Sequence, residues 1–371
     1  MSSISRVLVI GGGIGGLTAA IALGRKGFSV DVIERDPDWS VYGVGIIQQA
    51  NVVRAVAELG ILDDYVGAGF PFSDIEIYIP SGQRVARFPT PKLTEAYPAN
   101  VGIGRRALQK VLGDRAVLSG ANIRLGVSAT RLDDDGTGVD VTLSDGTTGR
   151  WDIVVGADGL YSETRKMIFV DSPDPKFVGQ SVWRYNFPRP ADMDALQIYE
   201  GPKGIGLVPL SNELMYLFVT TPEPGNPRYP REGLAAAMRD KLAGSAPAIN
   251  ALADQIVDDD AVVYKPLEML FLQGDWHKGR IVLLGDAIHA TTPHLGQGAG
   301  MAIEDSLVLA EELGRADDPE TAFTAYRNRR FERCRYIVEA SLAICDAQVN
   351  GEPVDQSAAT RGMFEVVAQP I

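Results

Sequence analysis

Arg6-Val7-Leu8-Val9-Ile10-Gly11-Gly12-Gly13-Ile14-Gly15-Gly16 is an apolar run that ends in a glycine-rich turn. The run predicts a buried strand, and residues 14–27 predict a helix directly after the turn. Gly11, Gly13 and Gly16 have the G-x-G-x-x-G spacing, and Glu34 follows 18 residues after Gly16, at the end of a second strand, Ser29-Val30-Asp31-Val32-Ile33. Gly11 permits the tight turn, Gly13 lets a pyrophosphate approach the backbone, and Gly16 lets the helix pack on the strand. The free N–H groups of the helix start face the phosphates, and Glu34 accepts hydrogen bonds from an adenosine ribose. A glycine-rich turn in an ordinary α/β domain explains neither five glycines in six positions nor the acid. The reading is a dinucleotide site. NAD, NADP and FAD share the ADP half, so the rest of the chain has to choose among them.

The 371 residues are enough for two domains and a large core. A net charge of −13 argues against a nucleic-acid partner and against an anionic membrane surface. Cys334 and Cys345 are the only cysteines, and no Cys/His spacing suggests zinc, so the expectation is free thiols and no metal. Five residues precede the first strand, which leaves no room for a signal peptide, and no apolar run approaches about 18 residues. These features predict a cytoplasmic protein. Oligomeric state is open, with a homodimer among the options.

Residues 36–50 read as a loop with Pro37, Gly43 and Gly45. A helix follows from Asn51, as N-cap, to Leu59, where Gly60 ends it. Residues 72–88 alternate as strands, 105–119 read as helix, and 123–155 read as strands. The aromatic and β-branched stretch 176–220 predicts an antiparallel sheet, with helices at 231–243 and 246–256 and strands again at 262–272 and 280–284. Residues 299–347 are helical with a break at Asp317-Asp318-Pro319, and the last twenty residues are weakly patterned.

Two more strand ends carry motifs. Residues 152–165 place Gly156-Ala157-Asp158-Gly159 after an apolar strand, with Ser162 and Arg165 following. Residues 285–300 begin Gly285-Asp286 after another such strand and continue through Pro293 to Gly296-Gln297-Gly298-Ala299-Gly300. With these three motifs in this order, nearly the whole chain resembles the single-component flavoprotein aromatic hydroxylases, the para-hydroxybenzoate hydroxylase family. The resemblance implies an α/β fold with a Rossmann-like FAD-binding domain assembled from discontinuous segments, an antiparallel-sheet substrate domain and C-terminal helices. The corresponding boundaries are 1–71, 99–175 and 273–371 for the first, and 72–98 and 176–272 for the second.

The resemblance also implies FAD as cofactor, held by Gly11, Gly13, Ile14, Gly15, Gly16, Glu34, Arg35, Arg105, Asp158, Gly285, Asp286, Gly296, Gly298 and Ala299. Arg105, in Gly104-Arg105-Arg106-Ala107-Leu108, matches the family's R-x-x-L, with Arg106 as the alternative contact. Asp158 would support the pyrophosphate and Asp286 the ribityl chain, although either acid could simply cap a helix or turn. The helix start at Gly296 to Gly300 would stabilise the negative charge of reduced flavin. Gly43-Val44-Gly45-Ile46 resembles the family's mobile-flavin loop. Met301 stands where a second fingerprint needs its third glycine, so NAD(P)H is expected as a transient co-substrate.

The family reaction reduces FAD with NAD(P)H and transfers an OH to an electron-rich ring through a flavin C4a-hydroperoxide. The expected partners are O₂ and a small aromatic or heteroaromatic substrate. A bulkier polyketide-like or antibiotic substrate, or a reductase or dehydrogenase of the same fold, is the alternative. Tyr216 and His294 are the candidate catalytic residues; Arg184, Tyr199 and Pro293 are the candidate substrate contacts. Tyr216 shares a strand face with Leu214 and Phe218, and the urate hydroxylases, which this chain resembles, use a tyrosine here. His294 follows the motif proline and has the chemistry to accept a phenol proton. Arg184 has the fork to grip a carboxylate. Each has a plainer reading: a core tyrosine, a structural loop histidine, a solvent arginine at a sheet edge. The urate hydroxylases carry an arginine in place of Gly204 and an acid in place of His294, and both differences argue against urate.

Overall fold

Strand Arg6–Ile10 pairs in parallel with Ser29–Glu34 on one side and with Ile153–Gly156 on the other. Ile153–Gly156 pairs in turn with Ile281–Leu283. The three motifs therefore leave adjacent strands at the carboxyl edge of one sheet, where ligands bind in open α/β folds. Asn122–Leu125 and the two-residue strand His277–Lys278 complete six strands, the last antiparallel to its neighbour. Val7, Leu8 and Val9 are fully buried, as a strand covered on both faces requires. The computed structural model describes residues 4–41, 43–201 and 203–371; residues 1–3, part of the short segment before the first strand, lie outside the described residues.

Helix Ile14–Arg25 follows the turn and packs on the long helix Gly298–Arg315. Their approach is close at Gly15, where a Cβ would lie 2.9 Å from Leu284 and 3.4 Å from Ala302. The Thr18 and Ser306 hydroxyls join the two helices at 2.8 Å.

A second sheet has seven strands in the order Val263–Met269, Lys176–Pro188, Leu214–Pro222, Gly204–Pro209, Leu196–Tyr199, Asp74–Tyr78 and Arg84–Pro89. It is antiparallel except that Leu196–Tyr199 runs parallel to Asp74–Tyr78. One face buries Trp183, Phe187, Leu207, Leu217 and Val219 against helices Leu234–Leu242 and Pro247–Ala253. The opposite face carries Val208 and Tyr216, which cluster with Leu210, just past strand Gly204–Pro209, and with Val44 from the first half of the chain.

The structure corrects several local expectations. Gly45–Gln49, read as loop, is a strand paired with Asn100–Gly104. Asn51 is not an N-cap: the helix is Ala50–Glu58 and starts one residue earlier. Within the last twenty residues, Gln356–Val367 is a helix, capped by Asp355 accepting from the Ala358 N–H at 2.8 Å and anchored by buried Met363 and Val367. No helix among the described residues is long and apolar enough to cross a membrane.

Candidate active site

Gly11 has φ +111°, and a Cβ there would stand 2.4 Å from the Ala157 carbonyl oxygen, so the first two motifs touch backbone to backbone. A Cβ on Gly16 would lie 1.8 Å from the Gly11 oxygen. Gly13, the N-cap of the first helix, has nothing within 4 Å of its Cβ position. The Glu34 carboxylate accepts the Gly12 N–H at 2.8 Å and the Asp36 N–H at 2.9 Å. That fixes it at the strand end with lone pairs left for ribose hydroxyls. Arg35 beside it is exposed, while Ile14 and Gly15 are half-buried at the helix start.

The second motif is locked into the protein. Asp158 accepts from the Ser162 hydroxyl and from the backbone and hydroxyl of Thr164, both at 2.9 Å, which ties it to helix Glu163–Ile168. Arg165 is fully buried and donates to Ala287 O and Leu160 O, each at 3.0 Å, so it ties the second motif to the third. In the third motif Gly285 has φ +66° and donates its N–H to Asp305 at 3.2 Å. Gly296 has φ +67°, and half-buried Gly298 and Ala299 open the long helix, leaving its first N–H groups free.

Asp286 and Arg105 lie close enough above these turns for each to feel the other's charge. The Asp286 side chain is enclosed by protein yet open to solvent, and burial raises its carboxyl pKa against the opposing charges of His289 and Arg105. Burial lowers the Arg105 pKa, offset by Asp286 and Tyr216. Neither side chain has a hydrogen-bond or ion-pair partner within the described residues, and Arg106 points to solvent. Two unpartnered charges of opposite sign, close to the open N-terminus of the long helix, fit the ribityl and phosphate parts of FAD. Arg105, Asp286, Glu34 and the first-turn N–H groups would hold it.

Tyr216 is 5% exposed, and its ring lies 6.1 Å from that of Phe218 on the same sheet face. Gly206 makes room for the Phe218 ring, which would lie 2.5 Å from a Cβ at that position. Burial raises the Tyr216 pKa, while Arg184 and Arg105 pull it down. Tyr199 is not brought to this face: it stacks on Tyr78 at 4.8 Å, donates to Gln197 and packs in the helix-covered core. The register pairs Tyr199 with Ile205, on the side away from Tyr216. It is a core tyrosine.

Pro293 opens a 3-10 turn, Pro293–Leu295, that presents His294. Both ring nitrogens of His294 are engaged by protein: Nδ1 lies 2.9 Å from Thr292 Oγ1, and Nε2 lies 3.1 Å from Gln348 Oε1. Burial lowers its pKa to about 4. Gln348 also accepts from Gln180 at 2.9 Å and lies 3.5 Å from a Cβ built on Gly204. A substituent larger than hydrogen at position 204 would enter this cluster.

One site feature escaped the sequence reading. Asn51 donates to Glu304 and Gln297, both at 3.0 Å; Gln297 reaches Gln49 and Asn51. Glu304 accepts from Arg330 at 2.7 Å and Arg333 at 3.2 Å, and Arg330 reaches Asp305 at 2.8 Å. The signal was present as two acids inside an apolar helix, Met301-Ala302-Ile303-Glu304-Asp305. His289, Asp305 and Cys334 gather within 4.8 Å, but Arg330 already neutralises Asp305 there.

Residues 5–341 match the family model described as an FAD binding domain. The chain is 32% identical to the aurachin C monooxygenase/isomerase of Stigmatella aurantiaca, over 91% of this chain and 88% of that one. It is 31% identical to the 6-hydroxynicotinate 3-monooxygenase of Pseudomonas fluorescens, over 95% and 94%. The structure of Klebsiella pneumoniae HpxO complexed with FAD and uric acid superposes with a TM-score of 0.86 at 27% identity, over 99% and 94% of the two chains. The chain belongs to the single-component FAD-dependent aromatic hydroxylase family: it is an FAD-dependent monooxygenase.

Proposed function

We propose that this enzyme hydroxylates a small aromatic or heteroaromatic ring, using NAD(P)H and O₂. The observation that carries the reading is the Tyr216 hydroxyl. It has no hydrogen-bond partner among the described residues, and it faces the cleft it shares with Arg105 and Asp286. The relatives named for 6-hydroxynicotinate and uric acid support a heteroaromatic ring. FAD held by Arg105, Asp286, Glu34 and the first-turn N–H groups would supply the redox chemistry: one oxygen atom of O₂ would enter the ring and the other would leave as water, with two electrons from NAD(P)H.

The chain's own residues supply placement and dryness. Phe218, Val208 and Val44 pack with Tyr216 in one apolar cluster, which keeps water from that side of the hydroxyl. Tyr216 hydrogen-bonds the ring's hydroxyl and holds the ring for attack. His294, with both nitrogens occupied, positions the Pro293–Leu295 turn. It does not take the substrate proton.

The test is substrate-stimulated NAD(P)H oxidation with simultaneous oxygen uptake, over a panel of phenols and hydroxypyridines. Hydroxylated product with matching oxygen consumption supports the reading. NAD(P)H oxidation that ignores oxygen points to a reductase and overturns it.

A further inference from the structure

Arg184 sits on strand Lys176–Pro188, which lies between Leu214–Pro222 and Val263–Met269. It is therefore in the interior of the sheet, and the sheet-edge reading does not hold. The register sets it opposite Phe218 on one side and Val263 on the other. Paired residues share a face, so Arg184 belongs to the face of Tyr216, Phe218 and Gly206. Its neighbours Trp183 and Tyr185 point the other way, into the helix-covered core.

Deep guanidinium groups in this molecule are otherwise paired. Arg165 holds two carbonyls, Arg330 holds Glu304 and Asp305, and Arg333 holds Glu304. Among the described arginines that are not exposed, Arg105 and Arg184 have neither a hydrogen bond nor an ion pair. Arg105 faces Asp286 and is accounted for by FAD. The titratable groups whose charge Arg184 feels are Tyr216 and the like-charged Arg105, and burial lowers its pKa. An arginine does not lose its proton. An unpaired guanidinium on the inner strand of a sheet, near a second cation, calls for an anion from outside the chain.

We propose that Arg184 binds a carboxylate carried by the aromatic substrate, and so selects aromatic acids over their neutral counterparts. The proposal deepens the hydroxylase reading above and rests on it. A single guanidinium fork matches a carboxylate through two parallel N–H···O bonds. The half-buried apolar neighbours Phe218 and Val263 give a flat ring an apolar surface beside it. With the carboxylate on Arg184, the ring extends along the sheet toward Tyr216, which lies two residues from Phe218 on the adjacent strand.

The test uses the FAD-loaded enzyme and the change in flavin absorbance on titration with paired probes: benzoate and benzamide, nicotinate and nicotinamide, 6-hydroxynicotinate and 2-hydroxypyridine. The acid of each pair should bind at least about tenfold more tightly than its neutral partner, as one charge-assisted bidentate pair implies. Arg184→Gln should abolish that preference with FAD content unchanged. Arg184→Lys, which keeps the charge without the fork, should restore part of it. Equal affinities within pairs, a preference that survives Arg184→Gln, or no binding by any acid overturns the proposal. If the acid preference depends on Arg184 but no aromatic compound stimulates oxygen uptake, the anion site stands and the hydroxylase reading fails.

Discussion

His289 Nε2 lies 2.6 Å from Asp305 Oδ2, and both side chains are fully buried. Burial alone pulls the imidazole pKa down, but Cys334 and Asp305 raise it well above the usual histidine value. Burial likewise raises the Asp305 carboxyl, and His289 and Arg330 bring it below the usual value. The network holds three cations, His289, Arg330 and Arg333, against the two carboxylates Glu304 and Asp305. His289 lies one helical turn from Asp286 and lowers its carboxyl pKa, against burial and the charge of Asp305, which raise it. A buried pair of this kind is costly to break because the partner is left uncompensated.

Asp305→Asn should therefore destabilise the holoenzyme by about 3–5 kcal/mol, the usual cost of removing one member of a buried ion pair. The signs for pH follow from linkage. His289 has a raised folded-state pKa, so its contribution is complete below about 6.5 and is lost as pH rises through the folded value. Asp305 has a lowered folded-state pKa, so its contribution is complete above about 3.9 and is lost as pH falls through the folded value. Denaturant unfolding of wild type and His289→Gln should show a gap that narrows as pH rises above about 6.5. A gap independent of pH would mean that His289 is neutral.

Asp286→Ala should weaken FAD binding by about ten- to a hundredfold, the worth of roughly 1.5–3 kcal/mol for a hydrogen bond to a charged group. Arg105→Ala should act in the same direction. Titration of apoprotein with FAD measures both. The raised Asp286 pKa gives a second signature: wild-type FAD affinity should begin to fall at a higher pH than an ordinary carboxylate would dictate, and Asp286→Ala should lack that fall. Unchanged affinity in both variants removes these residues from the cofactor site.

The cofactor turns were legible because phosphate approach and tight packing act on consecutive residues. Gly11 and Gly16 stand where a Cβ would strike backbone oxygen, and such positions admit no alternative residue. The substrate face was less legible. Alternation gives two faces to a strand but does not say which one meets the cofactor, and Leu196–Tyr199 has only four residues with which to decide. Tyr199 fell on the wrong side for that reason. Asn51 looked like a cap because caps are read from local position, whereas its partners, Gln297 and Glu304, lie far away in sequence. The helix Gln356–Val367 has the same origin: it is held by a cap and two buried side chains, and Arg333 binds the carbonyls just beyond it, at 2.7 Å for Gln369 and Pro370. Arg184 showed its residue type in the sequence, but its missing partner appears only in three dimensions.

Tyr216→Phe should retain FAD and lose coupling. Removing the hydroxyl keeps the ring's packing against Phe218 and Val208 but removes the bond that places the substrate. General acid–base and positioning effects of one group are worth about 10²–10⁴ in rate, so hydroxylation should slow while NAD(P)H is still oxidised. Hydrogen peroxide formed per NAD(P)H consumed is the measurement, with a substrate from the panel above. A variant as well coupled as the parent would show that Tyr216 is a packing residue only.

His294 gives the last prediction, and it is one of stability. Its folded-state pKa is about 4, because burial between Thr292 and Gln348 opposes the charged ring. The unfolded chain takes up the proton near the ordinary value of about 6.5. A depressed folded pKa means that stability is complete above about 6.5 and is lost as pH falls toward 4. Integrated over that interval, at 1.36 kcal/mol for each pH unit, the loss is at most about 3.4 kcal/mol. His294→Gln offers an amide to the same two partners without a titrating group. It should flatten the acid side of the stability curve between about 6.5 and 4, with little change at pH 8. The pH dependence of turnover between about 6 and 8 should be the same in both proteins, since a ring neutral throughout that range contributes no limb to it. A limb near 6.5 that disappears in His294→Gln would restore His294 as the catalytic base.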